Sequence, residues 1–102
     1  MDNSYSARCM VPHSHPSLTG HFPGAPIVPG VVLLDRVMAV LGEWLPGRKV
    51  VGLTHAKFLL PLKPDERFTV LLTRRTSEHI QFECHLNGRR LAVGLLTLEH
   101  SS

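Results

Sequence analysis

Cysteine and charge are both scarce in this chain, and each scarcity excludes something. The only two cysteines, Cys9 and Cys84, make no disulfide framework, and neither has a second cysteine at a zinc-ligand spacing. Charged residues are 19% of the sequence against 43% hydrophobic ones, a balance that excludes a disordered chain. No apolar run reaches the roughly 18 residues of a membrane span. The longest, residues 31–41, is broken by Asp35 and Arg36. The opening MDNSYSARCM has no apolar signal-peptide core, so the expected location is the cytoplasm. At 102 residues the chain is too short for a (β/α)₈ barrel, which takes about 250, or for a full dinucleotide-binding sheet. A single domain over residues 1–102 is expected.

The formal charge of +3 is mildly basic. Its positive residues come in pairs, Arg48-Lys49, Arg74-Arg75 and Arg89-Arg90, with Lys57 and Lys63 alone. That pattern serves equally as a solvated surface or as a landing site for an acidic partner. No nucleic-acid partner is expected, because no binding motif or aromatic platform accompanies the charge.

A first short strand is expected over residues 7–12. Residues 13–30 follow, with Pro16, Pro23, Pro26 and Pro29, which exclude a helix there. Phe22, Ile27 and Val28 make the stretch apolar enough to pack as an ordered loop, and long ordered loops in small domains tend to carry function. From Gly30 the pattern turns helical, with Val31, Leu34, Val37, Met38 and Leu41 as the apolar positions and Gly42 with Pro46-Gly47 as the stop. Trp44 is expected to cover that end. Strands follow over residues 49–58, 67–76, 79–86 and 91–98. Ile80, Phe82, Cys84 and Leu86 alternate onto one face, so Cys84 reads as a small buried thiol. Asn87-Gly88 marks a tight hairpin. The fold class is therefore α+β, one helix on a mostly antiparallel sheet. One helix cannot cover both faces of a sheet, which makes a dimer the expected state.

Three features carry chemistry. Asp35 shares a helical face with Val31, Leu34, Met38 and Leu41, and a buried, unpaired carboxylate costs several kcal/mol. Either that face is partly wet or the carboxylate has a partner and a task; the alternative is a rotated helix that pairs Asp35 with Arg36 or Lys57 at the surface. His21 sits in Gly20-His21-Phe22-Pro23-Gly24, a frame that restrains it, and histidine titrates where a general base must. Pro29-Gly30 begins the helix, where an amide unobstructed by a Cβ can polarise a carbonyl oxygen. Base, acid and carbonyl donor suit the removal of water from a 3-hydroxyacyl thioester. Charge builds on the thioester carbonyl as C2 loses its proton, and neither metal nor redox cofactor is needed. His13 and His15 with His21 offer three imidazoles for a metal, but no cysteine or carboxylate accompanies them at a usual spacing.

The run His21-Phe22-Pro23-Gly24-Ala25-Pro26-Ile27-Val28-Pro29-Gly30-Val31 resembles the signature of the hotdog-fold 3-hydroxyacyl-[acyl-carrier-protein] dehydratases. Asp35 follows His21 by the 14 positions usual in that family. Lys57-Phe58 with Pro61, Pro64 and Asp65, and the Asn87-Gly88 hairpin, add to the likeness, which runs over residues 15–99. The small size resembles the dehydratase-like proteins of aryl-polyene and related lipid pathways. The resemblance implies a central helix wrapped by an antiparallel sheet, and dimers with one continuous sheet. It implies His21 as base and Asp35 as acid, contributed by different subunits, with the Gly30 amide on the thioester carbonyl. Phe22, Val31, Met38 and Phe58 would contact the substrate. An acidic acyl carrier protein would dock on basic surface near the tunnel mouth, and no cofactor would be required. Asp35 stands where many housekeeping members have Glu, and Ala39 stands where a glutamine is usual. Two other readings stay open: a non-catalytic or weakly active partner subunit of a heteromeric dehydratase, and a hotdog thioesterase. For Met38, Leu41 and Phe58 the core reading competes with the tunnel reading.

Overall fold

A computed structural model of the chain describes residues 3–18 and 27–100. Within them run β1 (Ser4–Met10), a short 3₁₀ turn (Pro16–Leu18), α1 (Gly30–Trp44), β2 (Val50–Phe58), β3 (Arg67–Arg74), β4 (His79–Leu86) and β5 (Arg89–Leu98). The strands form one sheet in the order β1-β3-β4-β5-β2, with every neighbouring pair antiparallel. β1 and β2 are its edges.

Alternation decides which face meets the helix. Phe68, Val70 and Leu72 of β3, Ile80, Phe82 and Cys84 of β4, and Ala92, Leu96 and Leu98 of β5 are all buried beneath α1. Each large apolar side chain removed from water contributes about 1.5–3 kcal/mol. The β4–β5 hairpin turns on Asn87 (φ 51°) and Gly88 (φ 79°), the two positive values that a two-residue turn requires. Gly94 makes room for the ring of Phe82, its partner across the β4–β5 ladder. A Cβ there would strike the Phe82 ring and lie 2.5 Å from the His55 carbonyl oxygen.

Several expectations change in detail, among them the ends of the strands expected over residues 67–76 and 91–98, which run Arg67–Arg74 and Arg89–Leu98. β1 covers Ser4–Met10 rather than residues 7–12, because it pairs along all of β3, from Ser4 opposite Thr73 to Met10 opposite Arg67. The buried side of α1 is Val32, Leu33, Val37, Val40 and Leu41; of the expected positions Val37 and Leu41 belong to it, Leu34 and Met38 are half-buried at its edge, and Val31 is exposed. The helix is apolar nearly all round, so its sequence period fits either side. It also runs past Gly42 to Trp44, whose indole stacks on Tyr5 (centroids 6.1 Å apart) with the Arg74 guanidinium 5.4 Å from its ring. That stack covers the end of the helix, as expected for Trp44.

Candidate active site

Pro29 is extended (φ −62°, ψ 149°), and its carbonyl accepts from the amides of Val32 at 3.0 Å and Leu33 at 3.2 Å. The amides of Gly30 and Val31 are left over at the helix start, carrying the positive end of the helix dipole. Among the described residues neither has a backbone acceptor.

Phe58, last in β2, lies against this end. A Cβ at Gly30 would sit 2.8 Å from Phe58 Cζ, so glycine is what lets the ring approach. The Val28 amide donates to the Leu62 carbonyl at 2.8 Å and ties the approach to the helix to the segment after β2. Together they frame an apolar cleft of about 230 Å³ around Gly30, lined by Ile27, Leu33, Phe58, Leu59 and Leu62. Ile27, Phe58 and Leu59 are each about half exposed, which gives the cleft an apolar mouth. Such a space takes a hydrocarbon chain and excludes a charged one.

Asp35 does not line the cleft. It is exposed on the adjoining side of α1, between Val31 (69% exposed) and the partly buried Leu34 and Met38. The carboxylate amid an apolar stripe is therefore real, but the stripe is only half covered: Leu34 and Met38 pack partly against the core, while Val31 is exposed. Among the described residues Asp35 has no ion pair or hydrogen bond, with Arg36 and Lys57 or with any other. Of the residues singled out in the sequence, Gly30 and Phe58 come together at the cleft, while Val31 and Met38 flank Asp35. His21 and Phe22 lie outside the described residues.

His13 has a different role from the one considered above. Its Nδ1 lies 3.1 Å from Asp65 Oδ2 and its amide donates to Asp65 Oδ1 at 3.1 Å, which clips the chain after β1 to the turn before β3. Among the described residues no three potential metal ligands cluster. Cys84 is fully buried, and that burial, with Cys9 a smaller cause, pushes its thiol up to about 12. Reading one strand at a time missed Ile27, Leu59 and Leu62 as lining residues. Their only signal was the apolar, proline-rich composition on both sides of the cleft.

The arrangement of one helix laid on an antiparallel sheet is shared with solved hotdog structures. The dehydratase heterocomplex ApeI:P from Xenorhabdus doucetiae superposes with a TM-score of 0.84 at 22% identity, covering 98% of this chain and 90% of that one. The (R)-hydratase from A. caviae involved in PHA biosynthesis gives 0.77 at 16% identity, covering 96% and 94%. These likenesses establish the hotdog fold. Residues 1–94 match the model of the ApeI-like family, described as ApeI dehydratase, and the chain belongs to that family. Among curated relatives, the 3-hydroxyacyl-[acyl-carrier-protein] dehydratase FabZ of Rhizobium rhizogenes is 32% identical over 93 residues, 81% of this chain. The chain spans 59% of that relative's length and 60% of its Rhizobium leguminosarum counterpart. Among the described residues no helix is long and apolar enough to cross a membrane.

Proposed function

We propose that the chain is a (3R)-3-hydroxyacyl-[acyl-carrier-protein] dehydratase acting in the cytoplasm. The observation that carries this is the Gly30 amide, without a backbone acceptor among the described residues, on the lining of an apolar cleft framed by Phe58. In the reaction, His21 removes a proton from C2 of the thioester, and the Gly30 N–H donates to the carbonyl oxygen on which charge accumulates. Asp35 protonates the C3 hydroxyl, directly or through a water, the C3–O bond breaks, and the trans-2-enoyl thioester and one water leave. Val31 and Met38 border the acyl chain, and Phe22 follows the base.

A second copy of the chain completes the site. The exposed Val31, the half-buried Leu34 and Met38 beside it, and the exposed Val51 and Leu53 on edge strand β2 are apolar surface of the kind a homodimer buries. Pairing through β2 brings one subunit's His21 to the other's Asp35. The substrate arrives on an acidic acyl carrier protein.

The test is to follow a (3R)-3-hydroxyacyl carrier protein by the ultraviolet absorbance of the conjugated enoyl thioester. Enoyl product from the purified chain supports the proposal, and free acid would replace it with a thioesterase. A second reading is a partner subunit of a heteromeric dehydratase. It draws on Ala39 in place of the usual glutamine and on the heterocomplex among the structural neighbours. That reading predicts no turnover from the chain alone.

A further inference from the structure

The sheet is charged with nearly one sign. Among the described residues its strands carry Arg8, Lys57, Arg67, Arg74, Arg89 and Arg90, against Glu83 as their one carboxylate. On the face opposite α1, pairing sets the row His55-Leu95-Gln81 beside the row Lys57-Val93-Glu83, about 7 Å apart along the strands. A concavity of about 410 Å³ lies there, floored by Val93, Gly94 and Leu95 and walled by His55, Arg75, Gln81 and Arg90.

Glu83 organises this wall. Its Oε1 lies 3.2 Å from Arg90 Nε and 3.4 Å from His85 Nε2, and its Oε2 accepts from Gln81 Nε2 at 3.4 Å. Gln81 Oε1 accepts from Arg75 Nε at 2.6 Å. Each guanidinium is thus held by its Nε. Among the described residues the terminal nitrogens of both have no other partner. Two pre-held forks at the wall of a concavity are the arrangement that binds a phosphate by paired, charge-assisted hydrogen bonds.

We propose that this concavity is a second binding site, for a small organic phosphate whose phosphate group sits between Arg75 and Arg90 and whose apolar part rests on Val93 and Leu95. A flat basic sheet would serve an acidic protein equally well; the walled shape and the fixed forks favour a small anion. The site lies across the sheet from Gly30 and Asp35, so it stands independently of the dehydratase reading.

The test is an NMR titration of the full chain with phenyl phosphate and, separately, with inorganic phosphate. The Arg75 and Arg90 Nε–H signals and the Val93 and Leu95 methyls are monitored. The expected result is saturable shifts at these four residues, tighter for phenyl phosphate, with Gly30 and Phe58 unmoved. In the Arg75→Gln/Arg90→Gln double variant, folded by its own spectrum, affinity should fall about tenfold or more, since both charged donors are lost. Unsaturable shifts, shifts reproduced by sodium chloride at equal ionic strength, or unchanged affinity in the double variant would overturn the proposal. Binding of polyglutamate without binding of either phosphate would overturn it in favour of a protein-docking face.

Discussion

The Phe58 ring rests on the space where a Gly30 side chain would begin, 2.8 Å from its first carbon. Gly30→Ala therefore forces the ring outward or the helix start away from β2. Overpacking of this kind costs about 1–3 kcal/mol, with the low end expected because Phe58 is half exposed. Phe58→Leu in the same chain should restore most of that loss. Urea unfolding of the two single variants and the double variant measures the coupling. Additive losses would mean that the ring and the glycine are not in conflict.

Asp35 is exposed and unpaired among the described residues, so it holds no ion pair whose loss would weaken the fold. Asp35→Asn should leave the unfolding free energy within about 0.5 kcal/mol of the wild type, as surface changes do. It should slow dehydration by about 10²-fold or more, as removal of a general acid does. Steady-state rates beside denaturant melts separate the two effects, and a normal rate would remove Asp35 from the mechanism.

Cys84 makes alkaline stability informative. Its thiol is pushed from the ordinary 9.0 up to about 12, chiefly by burial. Between those pH values the unfolded chain gives up a proton that the folded chain keeps, so stability falls as pH rises. The contribution is whole below pH 9 and is lost on the way to about 12. Unfolding free energies of wild type and Cys84→Ala across this range should show the steeper decline in the wild type. Parallel slopes would mean that the thiol ionises without hindrance.

Gly94 tolerates no side chain, because a Cβ would meet the Phe82 ring and the His55 backbone carbonyl together. The ring is fully buried and the carbonyl belongs to the β2–β5 ladder, so neither yields cheaply. Gly94→Ala should cost about 3 kcal/mol or more. A melting temperature close to wild type would show that the strand shifts more freely than the contacts allow.

Much of this was legible in the chain because local chemistry agreed with the fold. Asn87-Gly88 can take both positive φ angles, and the Ile80-Phe82-Cys84 alternation permits only one face inward. The start of β1 was not legible, since Ser4-Tyr5-Ser6 has no apolar alternation and becomes strand only by pairing with β3. Nor was the orientation of α1, whose two apolar sides differ only in what covers them. The spacing from His21 to Asp35 was legible as a resemblance. The Arg75-Gln81-Glu83-Arg90 network was not, because it joins side chains from the turn after β3, from β4 and from β5.

The proposal that each site takes its base from one subunit and its acid from the other is tested most directly by mixing two inactive variants. His21→Ala retains Asp35, and Asp35→Asn retains His21. After subunit exchange at equal concentrations, half of the dimers are mixed and each mixed dimer has one intact pair, so about a quarter of the wild-type activity should return. Exchange confirmed by mass spectrometry, with no activity regained, would contradict a shared site.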